Sequence, residues 1–112
     1  MNLLQRMKHD LRTGVAKLRY GTVQAAKRAL EETELLQLRL EVRKLDSRIK
    51  ELCRDIGERA VELHERGESS QVIVSDQEIT RGVEQVLALK AERAKLLAEM
   101  EEVRSSGEDV RR

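Results

Sequence analysis

From Leu35 to Leu63, apolar residues return at alternating steps of three and four: Leu35, Leu38, Val42, Leu45, Ile49, Leu52, Ile56 and Leu63, with Arg59 alone out of pattern. In heptad notation Leu35, Val42, Ile49, Ile56 and Leu63 occupy a, and Leu38, Leu45 and Leu52 occupy d. β-Branched residues at a with Leu at d are the pattern of a coiled-coil seam. Such a stripe cannot stand alone, because its apolar side must be buried against another helix.

The chain supplies that helix. A second series runs Ile79, Gly82, Val86, Leu89, Arg93, Leu96, Met100 and Val103. Two long helices with a short connection bury their stripes only by lying antiparallel. Charged residues make up 38% of the chain, aromatics are 1%, and Phe, Trp and Pro are missing, the composition of long helices rather than of an enclosed core. The expected fold is therefore all-α: an antiparallel coiled-coil helical hairpin, Ala26–Gly67 and Ser75–Ser105, preceded by an N-terminal amphipathic helix over residues 1–21. Residues 107–112 are expected to form a disordered tail. Tyr20-Gly21-Thr22 is the expected hinge, with a continuous helix from 2 to 66 as the competing arrangement. Two registers satisfy the seam; the favoured one sets Asp46 by Lys90 and Arg48 by Glu92. Arg59 and Arg93 on the seam can lay their stems along it and reach water.

The connection, residues 67–75, lies within RGESSQVIVSDQEI. Gly67 suits the left-handed residue that closes a helix. Ser75 and Glu78 have the spacing of a capping box, which would pair Val74 with Ile79 as a hydrophobic staple. Val72 and Ile73 are left needing a contact, at the hairpin tip or on a partner.

The seam does not absorb every apolar residue. A second line on the first helix runs Thr22, Ala26, Ala29, Thr33, Leu36 and Leu40, and one on the second runs Val83, Leu87, Ala94 and Leu97. Burying one Leu contributes roughly 1.5–3 kcal/mol, so a bare hairpin leaves stabilisation unused. Leu36, Leu40, Val83, Leu87 and Leu97 are thus candidates, with Val72 and Ile73, for self-association or for receiving a partner helix. Homo-oligomerisation is expected.

Net charge is +1, but residues 1–30 carry seven basic residues against Asp10, leaving −5 for the remainder. Leu3, Leu4, Met7, Leu11, Val15 and Leu18 give this stretch helical amphipathy. Arg6, Lys8, Arg12, Lys17 and Arg19 are the candidate contacts to an anionic membrane surface. With no Trp or Phe anchor, one copy would bind weakly and several would bind by avidity. The competing role is a third helix of the bundle. Nucleic-acid binding ranks lower, because stacking aromatics and a recognisable reading motif are missing.

Chemistry is sparse. Neither His9 nor His64 has a second His or Cys at i+3 or i+4, and Cys53 is alone. No phosphate-binding glycine loop, HExxH or nucleophile elbow occurs. No catalysis, cofactor or metal is expected. Met1 to Asp10 has no apolar run of secretory-leader length, so a cytoplasmic protein, peripheral to the inner face of the membrane if bound there, is expected.

The stretch LRLEVRKLDSRIKELCRDIGERAVEL, Leu38 to Leu63, with its basic start and its second charged helix, resembles a group of small uncharacterised bacterial proteins. In these a basic N-terminal helix leads into a charged coiled-coil hairpin, sometimes followed by a zinc ribbon; with Cys53 alone, this sequence has no ribbon. The layout is also similar to the start of phage-shock protein A and its membrane-remodelling relatives. The resemblance implies a non-catalytic oligomeric scaffold or adaptor that can sit on anionic membrane. The alternative is a soluble helical adaptor or chaperone-like binder.

Overall fold

The structure, a computed structural model, describes the backbone of residues 2–111 and the side chains of residues 2–8 and 21–107. Three helices follow one another: α1 (Leu3–Glu65), α2 (Ser70–Ser75) and α3 (Gln77–Arg111). α1 and α3 pack against each other as an antiparallel hairpin, and no strand occurs among the described residues.

The seam is the one the spacing predicts. Leu38, Val42, Leu52 and Leu63 of α1 are buried, as are Ile79, Val86 and Met100 of α3. The other seam positions, Leu35, Leu45, Ile49, Ile56, Arg59, Leu89, Arg93, Leu96 and Val103, are half-buried. Leu38, Val42 and Met100 form the tightest cluster, flanked by Leu35, Leu96 and Val103. No described side chain is fully enclosed, as expected for a core one layer thick.

Two glycines fix the register. A Cβ on Gly82 would lie 2.6 Å from Cγ1 of Ile56, and one on Gly107 would lie 2.9 Å from Oε2 of Glu31. Position 82 therefore faces 56, and 107 faces 31, which is the favoured register. Its expected ion pairs are replaced, however. Asp46 pairs with Arg93 at 2.7 Å rather than with Lys90, and Arg48 pairs with Glu51 on its own helix at 3.2 Å.

Three expectations about element ends are corrected. First, α1 runs unbroken through Tyr20-Gly21-Thr22, so the N-terminal segment is part of one 63-residue helix. An interior glycine costs about 1 kcal/mol relative to Ala, which weakens a long helix without interrupting it. Second, α3 continues past Ser105-Ser106-Gly107 to Arg111. Gly107 is a seam residue that admits Glu31, not a helix stop.

Third, α3 is capped by Asp76, whose carboxylate accepts from the Ile79 N–H at 3.2 Å and whose carbonyl accepts from the Thr80 N–H at 2.9 Å. Ser75 is instead the last residue of α2, and its hydroxyl donates back to the Gln71 carbonyl at 2.8 Å. The Ser75–Glu78 capping box and the Val74–Ile79 staple are therefore not formed, and Val74 is exposed.

Gly67 does close α1, at φ 81°. Its N–H donates to the His64 carbonyl and the Glu68 N–H to the Leu63 carbonyl, the paired bonds of a Schellman motif. α2 begins one turn later on the Ser69 hydroxyl, which accepts from the Val72 N–H.

α1 sets the size of the molecule. At 1.5 Å per residue its length is about 95 Å, and the longest extent is 98 Å against 19 and 15 Å across. The 35 residues of α3 cover only the C-terminal part of α1.

Two alanine substitutions separate local propensity from packing. A Cβ on Gly57 meets nothing within 4 Å. Gly57→Ala is expected to stabilise the chain by about 0.5–1 kcal/mol in urea unfolding. Gly82→Ala is expected to destabilise it despite the same propensity gain, and Ile56→Ala should then cost less than it does alone, by about 0.5–3 kcal/mol of coupling.

Candidate interaction surface

Because α1 is continuous, two apolar lines that look separate in the sequence become one. The N-terminal line and the Thr22–Leu40 line share a face, at positions 4, 7, 11, 15, 18, 22, 26, 29, 33, 36 and 40, with steps of three, four and four repeating as far as 33. That spacing is the eleven-residue repeat of a nearly straight helix. The face lies on the far side of α1 from the seam, since Leu36 and Leu40 stand about half a turn from Leu38. The two stripes overlap only around residues 35–42, which explains why the helix is apolar nearly all round there.

Exposure follows this geometry. Leu36 and Leu40 are 55% and 47% exposed, and Leu3, Leu4 and Met7 are 73%, 65% and 57% exposed. Val83, Leu87 and Leu97, the expected extra line of α3, are likewise exposed. Arg6 and Lys8 are exposed beside Leu4 and Met7. The side chains of Arg12, Lys17 and Arg19 lie outside the described residues, as does that of His9. Of the two tip residues, Val72 is exposed and Ile73 is half-buried within α2, a short helix that touches both long ones.

The tip has an electrostatic clasp that the sequence pattern did not single out. The Arg59 guanidinium donates from Nε and Nη2 to the two carboxylate oxygens of Asp76, each at 3.3 Å. Glu78 and Glu62 approach the same guanidinium at 3.3 and 3.6 Å. Asp76 is only 16% exposed and simultaneously caps α3. The Arg59 hydrogen bonds, with the backbone N–H groups of Ile79 and Glu78, hold the Asp76 carboxyl below the usual carboxylate value. A seam arginine, out of heptad pattern, thus locks the start of α3 to α1.

Surface depressions are open grooves along the helices, such as the one lined by Leu40, Arg43, Lys44, Ser47, Arg48 and Glu51. Among the described residues no group of three His, Cys, Asp or Glu side chains could hold a metal ion, and Cys53 is exposed. Among the same residues, no helix is long and apolar enough to cross a membrane. Comparison with known protein families, curated proteins and solved structures finds no match for this chain.

The clasp has a pH signature. A lowered carboxyl value means that the folded state favours the charged form, so its stabilisation is present above the unfolded carboxylate range and lost as pH falls through the lowered value. Asp76→Asn keeps an N-cap but removes the charge. It is expected to lower the unfolding temperature at pH 7, with the gap from wild type closing as pH falls below about 3.8, the ordinary value. A gap that persists unchanged at low pH would assign the effect to packing.

Proposed function

We propose that this protein is a non-catalytic helical scaffold or adaptor that works as an oligomer. The observation that carries this reading is the uncovered stripe of α1, with Leu36 and Leu40 exposed and Leu4 and Met7 exposed on the same face. A helix presenting apolar residues at helical spacing is a surface for another helix. The rod is 98 Å long but only 19 by 15 Å across, a shape suited to holding partners apart or aligned rather than to enclosing a substrate. Static light scattering tests the oligomeric part. The expected mass is a multiple of 12.9 kDa at micromolar concentration; a monomer throughout would contradict it.

A second reading is favoured by the free end of α1, where Leu3, Leu4 and Met7 are exposed beside Arg6 and Lys8. An apolar face flanked by basic residues at a projecting helix end suits the interface of an anionic bilayer. Co-sedimentation with phosphatidylglycerol vesicles is expected to fall on Leu4→Glu and to weaken with salt. Equal binding to neutral vesicles would remove the electrostatic part of this reading.

A further inference from the structure

The geometry points to one occupant for the exposed face of α1: the same face of a second copy, running antiparallel. This inference rests on the oligomeric scaffold reading and gives it a defined interface. The first support is size. The stripe is bulky in its first part, with Leu4, Met7, Leu11, Val15 and Leu18 by sequence, and small in its second, with Thr22, Ala26, Ala29 and Thr33. A two-fold axis near residue 20 sets position 7 against 33, 11 against 29 and 18 against 22. Each of these layers joins one bulky residue to one small residue, so the layers have similar volume and interdigitate. The stripe closes with Leu4 against Leu36. A parallel pair would set bulky on bulky and small on small, giving layers of unequal thickness.

The second support is charge. Residues 6–28 carry seven basic residues against Asp10, whereas Glu31, Glu32 and Glu34 of α1 and Glu99, Glu101 and Glu102 of α3 make the adjacent base of the hairpin acidic. Antiparallel docking about residue 20 sets Arg6 against Glu34 and Lys8 against Glu32, twice by symmetry. Parallel docking would set Arg6 and Lys8 on their own images, which is repulsive, whereas the basic stretch 12–28 faces its own image in either orientation. Length is the third support. From Leu4 to Leu36 the paired stripe runs about 48 Å, close to the roughly 52 Å of α3 that already forms a packed seam. The contact is isologous, so it closes as a dimer rather than growing.

The test uses the full chain with Cys53→Ser, which removes the sole cysteine. Met7→Cys and Thr33→Cys chains are purified separately, then oxidised with copper–phenanthroline alone and mixed. A disulfide-linked dimer is expected from the mixture, and little from either alone, since like positions lie about 39 Å apart across the proposed axis. Self-crosslinking of Met7→Cys would show a parallel pair and overturn the proposal. A dimer by light scattering with no crosslink would place the interface elsewhere, overturning this inference while leaving the scaffold reading standing; a monomer would overturn both. Protection of Met7→Cys from maleimide by phosphatidylglycerol vesicles, without crosslinking to Thr33→Cys, would assign the face to membrane instead.

Ala29→Arg is the second variant. Ala29 is exposed on the face away from α3, so its helicity by circular dichroism should be unchanged. Self-association should weaken by about tenfold or more, which one buried charge readily supplies. Unchanged association would also overturn the proposal.

Discussion

A helix of 63 residues and a helix of 35 cannot cover one another. The antiparallel seam fixes where the shorter lies, because Gly82 admits Ile56 and Gly107 admits Glu31. Everything N-terminal to that stretch of α1 must then project from the hairpin. The projecting basic end and the extended shape follow from this inequality of lengths, and Leu36 and Leu40 are exposed because they stand on the face of α1 away from the seam.

Among the described residues, the hairpin is held by a thin core and by cross-helix ion pairs. Leu38, Val42 and Met100 form the packed centre of the C-terminal half of α3, and Arg93 meets Asp46 nearby. At the other end Arg59 grips Asp76, so that the cap of α3 and the register of the turn depend on a residue of α1. The clasp puts a charge where heptad regularity would put a leucine. Being partly solvated and multiply hydrogen-bonded, it avoids the full desolvation cost of a buried pair.

Much of this was legible in the sequence, and the misses share a cause. The seam residues, the helix class, the closing role of Gly67 and the exposure of Leu36, Leu40, Val83, Leu87 and Leu97 follow from periodicity and glycine chemistry. Ser75 and Asp76 are both good caps on local grounds; Arg59, distant in sequence, decides for Asp76. Gly21 and Gly107 look like helix ends, yet one is tolerated within a long helix and the other is needed at a close approach. The run Val72-Ile73-Val74 disfavours helix by propensity, but the Ser69 cap and the half-burial of Ile73 make α2 a short helix. The long stripe of α1 was visible only in pieces, because the assumed hinge cut it in two.

The continuity of α1 across Gly21 is therefore the claim on which the surface depends, and a distance across it tests that claim most directly. Spin labels at Lys8 and Gln37, in Cys53→Ser chain diluted with unlabelled protein, report the separation within one molecule by double electron–electron resonance. A continuous helix predicts a single distribution near 44 Å, from 29 steps of about 1.5 Å. A segment folded back at Tyr20-Gly21-Thr22 would bring the labels to within roughly 20 Å, two packed helix diameters, and would contradict the account.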